Sequence, residues 1–205
     1  MANSVSNTHF VNYQDFKVLK STHPRVRKIK RSQQQHSAHG NKVWRSGFVL
    51  LDYFSSNPPQ AQSTVLDIGC GWGLVGLFLA KKYSARVTGI DIDISVEPYL
   101  QLQAEINQCA IQFKQRSFES IRTAELSEFN YLIGTDICFW DEMTTPLFNL
   151  IKRARRAGVN KILIADPGRP PFWELVDLCV KRLNSEVVTR KIDYPWKTEK
   201  YILII

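Results

Sequence analysis

Apolar and polar positions along residues 64–165 follow two periodicities in turn, which predicts short strands separated by helices. Runs rich in β-branched residues are each followed by a stretch in which apolar residues recur at helical spacing. The predicted strands cover residues 64–68, 86–91, 111–116, 131–135 and 161–165. The predicted helices between them cover residues 74–83, 96–109, 121–126 and 143–157. Elements in this order indicate a mainly parallel sheet flanked by helices.

The C-terminal end of the chain predicts a different kind of strand connection. A helical pattern at residues 171–183 leads into two further strands at residues 185–193 and 200–205, which bracket the turn Y-P-W-K-T. A connection this short does not allow the crossover that parallel neighbours need, so the two strands are predicted to form an antiparallel hairpin. The fold class is therefore α/β, with seven strands that are mostly parallel.

The chain before the first of these strands divides into two parts. Residues 42–54 carry apolar side chains near helical spacing and end at S-S-N-P-P, which predicts an amphipathic helix that covers the core. Residues 1–41 are polar and basic, with one short alternating piece at residues 16–19. We predict a weakly structured arm over residues 1–41 and one domain over residues 42–205, which is long enough to bury its own core.

The positive charge is concentrated near the N-terminus. The net charge is +8, and residues 16–51 hold nine Lys or Arg and no Asp or Glu. A basic block of this kind suggests an acidic partner, with nucleic acid, an acidic protein face and an anionic surface as the candidates. The alternative is a solvated arm that the charge keeps soluble.

Cysteines and histidines give no sign of a metal centre or of disulfide bonds. The four cysteines lie far apart and form no C-x-x-C pair, and no signal peptide or long apolar span accompanies them. The four histidines, His9, His23, His36 and His39, all precede the predicted core and have no further ligands nearby in the sequence. We predict a reduced, soluble, cytoplasmic protein that holds no metal and does not associate with a membrane.

A glycine-rich loop follows the first core strand. The stretch V-L-D-I-G-C-G-W-G-L-V-G holds Gly71, Gly73 and Gly76 in the spacing G-x-G-x-x-G, where a strand turns into a helix. Asp91 comes twenty residues after Gly71, at the end of V-T-G-I-D, where an acidic side chain accepts hydrogen bonds from both hydroxyls of a ribose. These features suit either a nicotinamide dinucleotide or S-adenosylmethionine.

Asp67 distinguishes the two cofactors. A dinucleotide brings a doubly charged pyrophosphate to such a loop, and a neighbouring carboxylate repels it. S-adenosylmethionine has no phosphate and presents an ammonium and a sulfonium, which a carboxylate attracts. The alternative role for Asp67 is a helix N-cap or a partner of the helix dipole.

These motifs resemble those of the class I, seven-β-strand methyltransferases that use S-adenosylmethionine. The resemblance covers residues 42–205 and implies a Rossmann-like, doubly wound sheet. It implies that Asp67, Gly69, Cys70 and Gly71 line the methionine part, that Asp91 rather than Asp93 holds the ribose, and that Ile92 lies against the adenine. Ser117 and Phe118 stand where the family often has an acidic residue. The implied cofactor-binding residues are Trp44, Asp67, Gly69, Cys70, Gly71, Gly73, Asp91, Ile92, Ser117 and Phe118.

The methyl acceptor is expected at the ends of the fourth and fifth strands. Methyl transfer needs an aligned nucleophile and no obligatory acid or base. Asp136 follows an apolar run and is the predicted catalytic residue, with a helix cap as its alternative role. Phe139 and Trp140 are predicted to form a wall of the acceptor pocket or to belong to the core. Asp166 and Arg169 come from the adjoining loop, and Arg169 either binds a substrate carboxylate or pairs with Asp166.

Two segments narrow the resemblance to one subgroup. V-W-R-S-G-F-V-L-L-D-Y-F and D-P-G-R are similar to the protein lysine methyltransferases, a subgroup also labelled nicotinamide-methyltransferase-like. Members active on lysine usually carry a tyrosine three residues after an acidic residue, and this chain has Phe139 there. Trp44 corresponds to the subgroup's tryptophan near the cofactor.

The acceptor expected first is therefore a protein lysine, on a partner with an acidic face that the basic arm docks. A small-molecule amine and RNA are the other acceptors. R-P-P-F at residues 169–172 resembles a base-clamping loop only superficially, and Cys138 is expected to be buried and inert. Two interpretations place the chain in other classes of protein: an NAD(P)-dependent oxidoreductase and a non-catalytic Rossmann-like binding protein.

Overall fold

The computed structural model describes residues 9–33, 40 and 42–205. Its strands are β1 (Phe10–Tyr13), β2 (Phe16–Leu19), β3 (Thr64–Ile68), β4 (Arg86–Asp91), β5 (Gln112–Gln115), β6 (Tyr131–Thr135), β7 (Lys161–Asp166), β8 (Glu186–Ile192) and β9 (Thr198–Ile204). Its α-helices are α1 (Pro24–Ser32), α2 (Ser46–Ser56), α3 (Leu74–Tyr83), α4 (Glu97–Asn107), α5 (Thr123–Leu126), α6 (Thr144–Arg156) and α7 (Pro170–Leu183).

Seven strands form the main sheet in the order β5-β4-β3-β6-β7-β9-β8. Strands β3 to β7 run parallel, whereas β9 runs antiparallel to both of its neighbours, β7 and β8. The predicted fold class and the C-terminal hairpin are confirmed. The sequence did not show that the last strand inserts between β7 and β8. The order reverses beside β3, so the loops after β3 and β6 diverge and leave a crevice at the carboxyl ends of the strands.

Alternate residues of the sheet face two separate apolar layers. Val65 and Ile133 pack with α2 and α3 on one face, whereas Leu66 and Leu132 pack with α6 and α7 on the other. Each of these four side chains is almost fully buried. Side chains in a strand point alternately to opposite faces, so near-continuous apolar runs such as β3 and β6 have to be covered on both sides.

The N-terminal stretch is more ordered than its sequence indicated where the structure describes it. We expected weak structure over residues 1–41, but residues 10–32 form a β1–β2 hairpin and α1. The free edge of β2 is satisfied by two buried amides of α4: Gln103 Oε1 accepts from the Leu19 N–H at 2.9 Å, and Asn107 Oδ1 accepts from the Lys17 N–H at 2.8 Å. Phe16 is fully buried under the helices. These partners lie more than 80 residues away, so local composition did not reveal them.

Most element boundaries lie within two residues of their predicted positions, and α2 is the main exception. The predicted helix began at residue 42, whereas α2 begins at Ser46. Residues 42–45 instead run beside the crevice: Lys42, Val43 and Trp44 line it, and Arg45 is exposed. Within the described residues, no helix combines the length and the apolar composition needed to cross a membrane.

Candidate active site

The loops that follow β3, β4, β5 and β6 enclose a cavity of about 370 Å³ at the carboxyl edge of the sheet. This volume lies within the range of small-molecule and cofactor sites. The sequence-predicted residues that line it are Trp44, Gly69, Cys70, Gly71, Asp91, Ile92, Ser117, Phe118, Asp136, Phe139 and Trp140. Asp67, Gly73, Asp166 and Arg169 do not line it. The fold thus brings together residues that are up to 96 positions apart in the sequence.

The glycine loop lies against the cavity, which Gly69, Cys70 and Gly71 line. Gly69 and Gly71 have φ of +61° and +52°, a conformation that strains any residue with a Cβ. A Cβ on Gly69 would lie 2.6 Å from Ile137 Cγ2, whereas a Cβ on Gly71 would meet no atom within 4 Å. Gly71 therefore leaves open space beside its backbone that a ligand can fill.

Asp91 ties the glycine loop to the loop after β4. Its Oδ2 accepts from the Gly71 N–H at 3.0 Å, and its Oδ1 accepts from the Asp93 N–H at 3.0 Å. Burial raises the pKa of Asp91, and the two backbone hydrogen bonds oppose that rise. The neighbouring Asp93 uses its own Oδ1 to accept from the Ser95 N–H at 2.9 Å. The Asp91 carboxylate is thus held at the cavity edge in a fixed orientation.

Asp67 lies behind the loop and not in the cavity. It is 3 % exposed, and its Oδ2 accepts from the Gly76 N–H at 3.2 Å, in the first turn of α3. The N-cap residue of α3 is Gly73, so Asp67 is not an N-cap, but its contact with the first turn is the helix-dipole interaction that was part of its alternative role. Burial, together with the nearby negative charge of Asp91, raises the pKa of Asp67 to about 7, against the opposing hydrogen bond from Gly76. The carboxylate already occupies part of the helix terminus that a pyrophosphate would need.

The end of the cavity beyond β4 and β5 combines apolar and acidic groups. Ile92 is 73 % exposed, which is unusual for an isoleucine and leaves its side chain free to cover a flat ligand. Ser117 caps the following 3₁₀ turn, because its Oγ accepts from the Glu119 N–H at 3.3 Å. Glu119 also lines the cavity. An acidic side chain is thus present at the cavity two residues after Ser117, although the sequence analysis named only Ser117 and Phe118 in this region.

Aromatic side chains form the opposite end of the cavity. Trp44 and Phe139 meet edge to face, with ring centroids 5.0 Å apart. Trp140 lies 5.7 Å from Phe139 and is 53 % exposed. Lys42 places its Nζ 4.2 Å from the centroid of Trp44, within reach of a cation–π interaction. This aromatic wall comes from two distant parts of the chain, the stretch before α2 and the loop after β6.

Both carboxylate oxygens of Asp136, at the aromatic end of the cavity, accept hydrogen bonds. Its Oδ2 accepts from the Ser46 N–H at 3.1 Å, and its Oδ1 accepts from the Ser46 hydroxyl at 2.9 Å and from both terminal nitrogens of Arg169 at 3.2 Å. It thereby caps α2 and not the helix that follows it in sequence. Its backbone has φ of +54°, which few non-glycine residues adopt. Burial raises its pKa, against the opposing effects of Ser46 and Arg169.

Arg169 links Asp136 to Asp166. Arg169 Nη1 donates to Asp166 Oδ2 at 2.7 Å, and Asp166 is fully buried. Asp166 Oδ1 also accepts from the backbone N–H groups of Gly168 and Arg169, each at 2.9 Å. The pairing of Arg169 with Asp166, one of its two expected roles, is therefore present, and the guanidinium also covers the face of Phe139 at 4.2 Å.

Several residues that line the cavity were not predicted from the sequence, because the pattern of the residues around them does not indicate a binding site. Trp72 stacks on Tyr99 with ring centroids 4.6 Å apart, and its indole N–H donates to the Gly40 carbonyl at 2.8 Å. Other lining residues that were not singled out are Lys42, Val43, Leu74, Ile90, Val96, Arg116, Thr135, Ile137 and Met143, whereas Asp93, the rejected alternative to Asp91, also lines the cavity. The position of Trp72 next to the loop glycines is the local signal that could have indicated a loop packed against other side chains.

The described ranges hold no group of three or more His, Cys, Asp or Glu side chains that could bind a metal ion. His36 and His39 lie outside the described residues. Cys138 is buried as expected, and burial raises the pKa of its thiol, which disfavours the thiolate needed for nucleophilic attack.

The strand order and the cavity at the carboxyl edge are those of the class I, Rossmann-like methyltransferases. A family model described as lysine methyltransferase matches residues 25–170, well over half of the chain. The chain belongs to this lysine methyltransferase family.

Curated relatives agree with this assignment. The chain is 25% identical over 130 residues to the electron transfer flavoprotein beta subunit lysine methyltransferase of Homo sapiens, a match that covers 63% of this chain and 49% of that protein. It is 30% identical over 105 residues to protein N-lysine methyltransferase METTL21A of Xenopus tropicalis, covering 49% of this chain and 48% of that protein. The chain thus spans about half the length of these relatives.

Solved structures share the fold at low sequence identity. The Pyrococcus abyssi tRNA (uracil-54, C5)-methyltransferase in complex with S-adenosyl-L-homocysteine superimposes with a TM-score of 0.61 at 20% identity, over 96% of this chain and 44% of that one. This likeness concerns the fold alone.

Proposed function

We propose that this chain is an S-adenosylmethionine-dependent methyltransferase that methylates the side-chain amine of a protein lysine. The observation that carries the proposal is the placement of Asp91, whose carboxylate is anchored at the cavity edge by the Gly71 and Asp93 N–H groups. Membership of the lysine methyltransferase family and the names of the two lysine methyltransferases among the curated relatives described above support a lysine acceptor.

The residues around the cavity fit S-adenosylmethionine. The open space beside Gly71 accepts the methionine part, Asp91 offers its carboxylate to the ribose hydroxyls, and Ile92 covers the adenine. The proposed site is completed by Trp44, Gly69, Cys70, Ser117 and Phe118, and Gly73 is the N-cap of α3. Glu119 is the acidic candidate for the adenine amine, in addition to Ser117 and Phe118. When bound, the cofactor supplies an activated methyl group.

Asp67 acts on this site from behind the loop. Asp67 does not line the cavity, so its contribution is the support of α3 and, in its ionised form, a negative field near the methionine part. The same field disfavours a pyrophosphate, which argues against the dinucleotide alternative. A binding protein without activity remains the other alternative, and turnover distinguishes it.

The aromatic end of the cavity suits the acceptor amine. Trp44, Phe139 and Trp140 exclude water from its wall and attract a cation or amine to their ring faces. Asp136 holds Ser46 and Arg169 in place and adds negative charge beside this wall, which favours the approach of an ammonium group. Asp166 fixes Arg169 in turn. We therefore propose a positioning role for Asp136 that complements its expected contact with the acceptor.

The basic block suits an acceptor protein with an acidic face. On α1, Arg27, Lys28, Lys30 and Arg31 point to solvent, whereas Arg25 pairs with Glu105 at 2.6 Å. We propose that residues 1–41 act as the docking arm for this partner and that residues 42–205 form the catalytic domain. We also propose a cytoplasmic location. Nucleic acid is the alternative to an acidic protein as the partner of the arm.

Two measurements test the proposed function. Calorimetry with S-adenosylhomocysteine is expected to show binding, and calorimetry with NAD or NADP is expected to show none. Incubation of the chain and labelled S-adenosylmethionine with an extract of the source cells is expected to label a protein at lysine, with an Asp91→Ala chain as the inactive control. Label confined to RNA or to small molecules would eliminate the protein acceptor, and binding without any transfer would favour the non-catalytic alternative.

A further inference from the structure

A second groove borders the cofactor cavity on the side of the N-terminal hairpin. It lies between β2, the start of α2 and β9, and has a volume of about 580 Å³. Lys42, Val43, Trp44 and Asp136 line both the groove and the cavity. One layer of side chains at the aromatic end of the cavity therefore separates the two spaces.

The groove is strongly basic. Its charged lining residues are Lys20, Lys42, Arg45, Asp136, Arg169 and Lys200. Arg169 is neutralised by its ion pairs with Asp136 and Asp166. The other four cations form no ion pair with another described residue. We call the surface made by Lys20, Lys42, Arg45 and Lys200 the basic groove.

Two of these cations are held in place by aromatic rings. The Arg45 guanidinium lies 5.1 Å from the centroid of Trp196, which in turn packs edge to face on Phe48 at 5.3 Å. The Lys42 ammonium lies 4.2 Å from the centroid of Trp44. Cations positioned on rings lose less side-chain entropy when an anion binds, so the basic groove is partly organised for an acidic ligand.

We propose that the basic groove binds an acidic segment of the acceptor polypeptide, next to the lysine that is methylated. This inference rests on the proposed function and specifies the sequence around the target residue. The four cations come from three separate parts of the chain, namely the residue after β2, the stretch before α2 and β9, and they line one groove. Four cations from three parts of the chain suit several carboxylates of one extended segment better than a single small anion. A segment seated there reaches the aromatic end of the cavity across Trp44.

Two fluorescein-labelled peptides of equal length test the proposal. Each carries one central lysine, flanked by Asp and Glu in the first and by Ser and Gln in the second. Binding to the full chain, saturated with S-adenosylhomocysteine, is measured by fluorescence anisotropy. The acidic peptide is expected to bind at least about tenfold more tightly, and the difference is expected to shrink as salt screens the charges.

Charge-reversal variants locate the effect. The Arg45→Glu/Lys200→Glu variant is expected to lose the preference for the acidic peptide while it binds S-adenosylhomocysteine as the parent chain does. The Lys114→Glu/Arg155→Glu variant changes the net charge equally at exposed sites outside both spaces, and is expected to keep the preference.

Each other outcome decides against the basic groove or against the proposed function. Equal affinity for both peptides, or a preference that survives in the Arg45→Glu/Lys200→Glu variant, overturns the groove proposal alone. Displacement of the acidic peptide by inorganic phosphate at lower concentration than by unlabelled acidic peptide assigns the groove to a small anion and overturns it too. Absence of S-adenosylhomocysteine binding in the parent chain overturns the proposed function instead.

Discussion

Asp136 caps helix α2 through Ser46, a residue 90 positions earlier in the chain, whose backbone N–H and hydroxyl donate to the Asp136 carboxylate at 3.1 and 2.9 Å. The same carboxylate pairs with Arg169, so one side chain joins the loop after β6, the start of α2 and the loop after β7. The acceptor end of the site is therefore part of the framework that holds the domain together.

Removal of the Asp136 carboxylate is expected to cost stability as well as activity. Asp136→Ala leaves the buried Ser46 N–H without its partner and Arg169 without one of its two carboxylates, so the free energy of unfolding is expected to fall by about 3 kcal/mol. Ser46→Ala removes one hydrogen bond only and is expected to cost about 1 kcal/mol. Urea unfolding of both variants without cofactor measures this. Full stability of the Asp136→Ala chain would show that the carboxylate has no framework role.

Substitution of Asp91 is expected to weaken cofactor binding far more than substitution of Asp93. Asp91→Ala removes a charged acceptor for two ribose hydroxyls and releases the Gly71 N–H, which is worth about 3 kcal/mol or more, a loss of about a hundredfold in affinity. Asp93→Ala mainly disturbs the turn at Ser95 and is expected to reduce affinity by about tenfold or less. Calorimetric titration with S-adenosylhomocysteine measures both. The reverse ranking would move the ribose contact to Asp93.

Asp67 is expected to make stability decrease with pH. Its pKa is raised to about 7 in the folded chain by burial, above the ordinary value of 3.8 that applies when unfolded. The folded state then binds the proton more tightly, so this contribution is present at acidic pH and is lost as pH rises towards 7. Asp67→Asn keeps an acceptor for the Gly76 N–H and has no charge to bury. The free energy of unfolding is measured with urea at pH 5 and at pH 8. Between these two values it is expected to decrease by about 2–3 kcal/mol more in the parent chain than in the variant. Parallel pH profiles in the two chains would contradict the burial of a titrating carboxylate.

Two glycines of one loop are expected to respond differently to alanine. At Gly69 the new Cβ meets Ile137 at 2.6 Å and the positive φ is strained, so a loss of about 2–3 kcal/mol in stability is expected. At Gly71 only the strain applies, about 1 kcal/mol, but the Cβ occupies open space beside the cavity. Gly71→Ala is therefore expected to reduce affinity for S-adenosylhomocysteine more than it reduces stability. Thermal unfolding and calorimetry of the two variants separate these effects, and identical behaviour would count against a ligand beside Gly71.

Local patterns in the sequence determined the strands and helices of the domain and the position of the cofactor loop. β3 and β6 are near-continuous apolar runs. Because apolar and polar residues do not alternate in them, both faces of these strands have to be covered by other elements. Gly71 and Asp91 carry a spacing that follows from the geometry of a strand, a turn and a helix, so their meeting at one edge of the sheet was predictable.

Only the tertiary structure decided which partners the charged side chains have. Asp67 was assigned to the cofactor because of its charge beside the glycines, and Asp136 to the acceptor because it follows an apolar run. In the structure, Asp67 accepts a hydrogen bond from the start of α3, and Asp136 lines the cavity and also accepts from the start of α2. The order in residues 10–32 and the basic groove likewise depend on residues that lie far apart in the chain. Hydrophobic periodicity is a property of neighbouring residues, whereas the partner of a buried polar group is set by the packing of distant elements, which no local pattern encodes.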